Sequence, residues 1–104
     1  MAVSVETTGE QSQCKISISE DFTIYTAERI KDELDTAAND YNEFHLDLTE
    51  VEEIDSAAVQ ILLIWQKHLQ DLEKKLLSVS FTGVVEKLFD DYGISSVFKL
   101  GESA

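Results

Sequence analysis

The chain has 104 residues, with 8 Lys and Arg against 21 Asp and Glu, and a formal net charge of −13. That length suits one domain, and 43% apolar residues can fill a single modest core. So much negative charge would be repelled by nucleic acid or an anionic membrane surface, and so few cations build no basic patch; a basic face on another protein is the natural counterpart.

Apolar and aromatic residues in periodic positions point away from disorder. The first candidate element is a weak edge strand at Val3-Ser-Val5. Cys14-Lys-Ile-Ser-Ile18 alternates apolar and polar residues, the mark of a strand with one buried face. Thr26 can cap a helix whose apolar residues Ile30, Leu34, Ala37, Ala38 and Tyr41 recur at helical spacing. Phe44-His-Leu-Asp-Leu48 is a second alternating strand. The longest pattern follows, with Ala58, Leu62, Trp65, Leu69, Leu72 and Leu76 forming one stripe along a helix of about five turns. Leu77-Ser-Val-Ser-Phe81 is a third strand, and Val84, Val85, Leu88, Phe89 and Tyr92 mark a third helix that Gly93 can stop in the left-handed conformation. Val97 to Leu100 is a weak last strand. Strands joined through helices imply parallel pairing, and the opening pair adds an antiparallel edge. The expected fold is therefore α/β: a single domain over 1–104, with its core over about 14–100, whose mixed, mostly parallel sheet of four to five strands carries three to four helices.

Most chemistry-bearing patterns are missing. The four glycines stand apart, so no phosphate-binding loop is present, and His45 and His68 are not spaced as metal ligands. No cofactor and no metal are expected, and no pair of carboxylates stands out as an acid and base. The lone Cys14 excludes an internal disulfide and reads as a small buried residue. With no leader pattern and no run of about 18 apolar residues, a soluble, cytoplasmic protein without membrane insertion is expected.

One segment stands apart. From Leu46 the chain passes through an acidic turn, Glu50, Glu52, Glu53, into the junction Asp55-Ser56 and then the long helix. A polar residue at such a junction caps the helix, while Ser56 just beyond the carboxyl end of a strand is placed where α/β sheets often hold ligands. The helix is also greasy beyond its core stripe, at Ala57, Val59, Ile61, Leu63 and Ile64. Either other elements of the domain enclose that surplus, or part of it, with Val59 and Leu63 foremost, meets another protein.

Asp47-Leu-Thr-Glu-Val-Glu-Glu-Ile-Asp-Ser-Ala-Ala58 resembles the strand, turn and helix start of the STAS domain, the fold of bacterial anti-sigma factor antagonists. Thr26-Ala27 and Val85-Glu-Lys-Leu-Phe-Asp-Asp-Tyr-Gly-Ile94 are similar to two further segments of that family. The resemblance implies a regulatory binding module and no enzyme. Its partner would be a serine kinase that doubles as an anti-sigma factor, and the phosphoacceptor would be Ser56. The docking surface it implies comprises Thr23, Asp55, Ser56, Ala57, Val59, Gln60 and Leu63. Ala58 stands where the family often has glycine, and Thr23 where it commonly has an acidic residue. The alternative is a STAS accessory subunit that docks without phosphorylation, beside a lipid-transport ATPase or in a chemotaxis-associated regulator. The acidic turn predicts Lys or Arg on the partner and binding that weakens with salt. Oligomeric state is left open by the sequence.

Overall fold

A computed structural model describes residues 3–8 and 12–94. Along the chain these form β1 (Val3–Thr7), β2 (Gln13–Ile18), α1 (Ala27–Asp40), β3 (Glu43–Leu48), α2 (Ser56–Asp71), β4 (Lys75–Phe81) and α3 (Gly83–Asp91). The strands make one sheet in the order β1-β2-β3-β4, with β1 antiparallel to β2 and the other two pairings parallel. The expected strand at Val97 to Leu100 lies outside the described residues.

Alternation decides the two faces of the sheet. Cys14, Ile16 and Ile18 of β2 and Phe44, Leu46 and Leu48 of β3 are buried, and register places Cys14 beside Phe44 and Ile16 beside Leu46. The helices cover this side: Trp65 of α2 meets Phe44 edge to face, and Phe89 of α3 meets Phe81 of β4 in the same way. Buried residues of all three helices join these strand residues in one cluster. The opposite side is polar, with Lys15 beside His45 and Ser17 beside Asp47. There Lys15 Nζ lies 3.5 Å from Asp47 Oδ2.

Trp65 locks the two long helices together. Its ring is buried and its indole N–H donates to the carbonyl of Leu34 in α1 at 3.0 Å, so the polar atom of a large core residue is satisfied. At the end of α1, Lys74 donates through its ammonium to the carbonyl of Ala38, placing a cation where the helix dipole is negative.

Several expectations need correction. The α2 helix ends at Asp71, so Leu72 is its half-exposed cap and Leu76 belongs to β4. The stop is a Schellman motif: Lys74 N–H donates to Leu69 O at 2.8 Å and Glu73 N–H to Gln70 O at 3.0 Å, with Glu73 at φ 60°. The apolar spacing continues past this stop because Leu76 is needed in the strand. The α3 helix ends in the same motif, with Gly93 at φ 69° and Ile94 N–H donating to Phe89 O at 2.9 Å. Thr26 occupies the cap position of α1 but makes no side-chain bond to the helix. Its hydroxyl accepts from Thr23 N–H at 3.1 Å and donates to Asp21 O at 2.7 Å, so it braces the preceding loop. Val84 and Tyr92, expected on the buried face of α3, are about half exposed.

Candidate partner-binding site at the start of the second helix

The site begins where β3 ends. Asp47 closes the strand by accepting from Thr49, through its N–H at 2.9 Å and its hydroxyl at 2.6 Å. Burial acts to raise the Asp47 pKa, but those two bonds and Lys15 outweigh it and hold the carboxyl below its ordinary value. Val51 then turns inward and is buried, leaving Glu50, Glu52 and Glu53 exposed.

Asp55 ties two segments together. Its Oδ1 accepts from Ala57 N–H at 3.0 Å and Ala58 N–H at 3.3 Å, capping α2. Its Oδ2 accepts from Ile24 N–H at 3.0 Å, in the loop between β2 and α1. Backbone bonds extend the seam, from Phe22 N–H to Glu53 O at 2.8 Å and from Asp55 N–H to Phe22 O at 3.3 Å. Both carboxylate oxygens are thus engaged within the protein. Asp55 therefore holds the start of α2 and the loop before α1 in one arrangement.

Ser56, the first helical residue, is exposed at the seam, and Gln60 is exposed one turn later. Thr23 and Ala57 are partly buried there. Val59 differs from its expected place: at 2% exposure it lies in the core cluster shared by the helices and the sheet. Most of the surplus apolar surface is therefore enclosed by the domain itself. Ala57, Ile61 and Leu63 pack partly against the core, whereas Ile64 stays 57% exposed. Leu63, Ile64, Lys67, His68 and Asp71 line a shallow depression of about 470 Å³ further along the helix.

Two residues of this surface were missed in the sequence. Ile24 and Tyr25 are 68% and 95% exposed beside the Asp55 seam. They belong to no periodic pattern, and the only signal was an apolar pair just before a capping threonine.

Elsewhere, burial pushes the Cys14 thiol up to about 11, so the neutral form is retained. His45 Nδ1 and Ser78 Oγ are 2.6 Å apart on the polar face of the sheet, a hydrogen bond that the register of β3 with β4 creates. Among the described residues no cluster of His, Cys, Asp or Glu could hold a metal ion, and no helix is long and apolar enough to cross a membrane.

Solved structures of similar fold include anti-sigma factor antagonists. The unphosphorylated anti-sigma factor antagonist SpoIIAA is 15% identical with a TM-score of 0.77, covering 98% of this chain and 90% of its own. An anti-sigma factor antagonist from Mycobacterium paratuberculosis is 17% identical with a TM-score of 0.78, covering 97% of this chain and 86% of its own. The phosphorylated form of SpoIIAA from Bacillus is 15% identical with a TM-score of 0.71, covering 98% of this chain and 93% of its own. At such identities the likeness establishes the fold alone. Comparison of the sequence with curated proteins finds no significant match. The profile of the MlaB-type STAS domain matches residues 5–100, nearly the whole chain, and the protein belongs to that STAS-domain family.

Proposed function

We propose that the chain is a regulatory protein-binding module whose docking face is the first half of α2 with the adjoining loop, and that phosphorylation of Ser56 by a partner serine kinase switches it. The observation that carries this reading is the exposed Ser56 at the first position of a helix whose next ten residues, Ala57–Gln66, include no charged side chain. A phosphate there adds roughly 1.5 to 2 negative charges beside Glu52, Glu53 and Asp55. The helix N-terminus tolerates the added charge, but a partner surface matched to the neutral serine does not. The protein acts by binding, and the kinase supplies the chemistry. Basic residues on the partner would speed association and make it salt-dependent.

The test is to purify the serine kinase that copurifies with the chain and measure its affinity for wild type, Ser56→Ala and Ser56→Asp. The reading expects phosphate on Ser56 in cells and loss of binding in Ser56→Asp. Equal affinities with no phosphoserine would end the switch.

A second reading is a constant accessory subunit that uses the same face without phosphorylation. The MlaB-type profile favours it, as does Thr23 in place of the family's acidic residue. A stable complex broken by Leu63→Glu but indifferent to Ser56→Ala and Ser56→Asp would select it.

A further inference from the structure

Ile24 and Tyr25 are the feature that the fold does not explain. Single exposed apolar side chains are ordinary on protein surfaces. Here two large ones adjoin each other, at 68% and 95% exposure, on a short loop held at several points. Ile24 N–H is bound by Asp55 Oδ2 at 3.0 Å, Phe22 is buried and bonded to the backbone of Glu53 and Asp55, and Thr26 N–H donates to Thr23 O at 3.0 Å. A loop fixed in this way presents its side chains with little conformational entropy left to lose on binding.

The surroundings state what kind of surface fits. Asp21, Glu52 and Glu53 are exposed on the two segments that the seam joins, and among the described residues none of them forms an ion pair. The nearby cation Arg29 is already bonded to Glu20. The pair is therefore an apolar projection inside an acidic rim. A second copy of this chain, itself at −13, would bring like charge against that rim. A cleft with an apolar floor and Lys or Arg at its lip is complementary in both respects.

We infer that Ile24 and Tyr25 form an apolar anchor that inserts into a basic-lipped cleft on the same partner that docks on Ser56 and Gln60. The inference rests on the proposed docking role of α2 and adds the partner's surface chemistry and a second point of attachment. Asp55 then serves both points, since one carboxylate fixes the start of α2 and the loop that carries the anchor.

The experiment places a photo-crosslinking amino acid at position 25 or, separately, at position 60 of the full chain in its native cell, and maps the crosslinked peptides. The inference expects both positions to crosslink to one protein, with the peptide joined to position 25 rich in apolar residues and Lys or Arg. That protein, purified, should bind Tyr25→Ser at least about tenfold more weakly than wild type, as for a tyrosine at the centre of an interface. Tyr25 is almost fully exposed, so its replacement leaves the fold intact. Crosslinking from position 60 alone, or unchanged affinity of Tyr25→Ser, would overturn the anchor while leaving the α2 reading in place. A crosslink from position 25 to another copy of the chain or to an acidic segment would overturn the stated partner chemistry. Failure of both positions would overturn the inference together with the reading on which it rests.

Discussion

The α1 and α2 helices share one apolar layer above the sheet and meet at Trp65 and Leu34, but they face solvent differently. The outer surface of α1 carries Glu28, Arg29, Asp32 and Asp40, with Lys31 paired to Asp35 at 2.8 Å. Over its first three turns α2 exposes Ser56, Gln60 and Ile64, and its first charge is Lys67. Both helices meet the same demand for burial, so the fold does not dictate the difference. An uncharged outer surface on a chain of net charge −13 is what a docking face requires, because charges left at the centre of an interface would have to be desolvated.

The seam between the helices offers the largest test. Trp65→Ala removes the ring that meets Phe44 and the bond to Leu34, and is expected to cost about 3 to 5 kcal/mol in chemical denaturation. A much smaller loss would mean that the two helices are not held as one layer.

The two helix starts sharpen the contrast. α2 is capped by Asp55, whereas the hydroxyl of Thr26 serves the loop before α1. Asp55→Ala should cost about 1 to 2 kcal/mol and speed hydrogen exchange at the amides of both Ala57 and Ile24. Faster exchange at Ala57 alone would show that the seam does not depend on this carboxylate.

The helix ends give an effect of opposite sign. α3 stops at Gly93, while α2 stops at Glu73 in the same left-handed conformation. Glu73→Gly should raise stability by about 0.5 to 1 kcal/mol, read as a higher denaturation midpoint. Asp47, on the polar side of the sheet, gives the smallest effect. Because its folded pKa lies below the ordinary 3.8, its contribution is complete above that value and fades as pH falls through the depressed one. Asp47→Asn should therefore flatten the acid limb of the stability profile, and an unchanged limb would contradict the assignment.

The alternating strands were legible because period 2 is strict where one sheet face is buried, as Cys14–Ile18 and Phe44–Leu48 show. The end of α2 was not legible, since its stop uses a glutamate where sequence reasoning looks for glycine, and Leu72 and Leu76 continue the spacing beyond it. Ser56 and Asp55 stood out as a strand-to-helix junction, but the reach of Asp55 to Ile24 is a tertiary contact across 31 positions that no local pattern encodes. Val59 looked as available as Leu63 because periodicity reports a direction around the helix without saying what packs there. The pairing of His45 with Ser78 depends on the bulge that shifts β4 after Phe44, which is likewise invisible locally.

The central claim is that a partner binds the uncharged face of α2 and not the charged face of α1. The direct measurement is calorimetric titration of the partner identified by crosslinking against Ile64→Glu and Asp32→Lys, two exposed substitutions that should each change stability by no more than about 0.5 kcal/mol. Ile64→Glu is expected to weaken binding by at least about tenfold and Asp32→Lys by less than about threefold. Equal effects, or a larger one at Asp32, would contradict the assignment of the docking face.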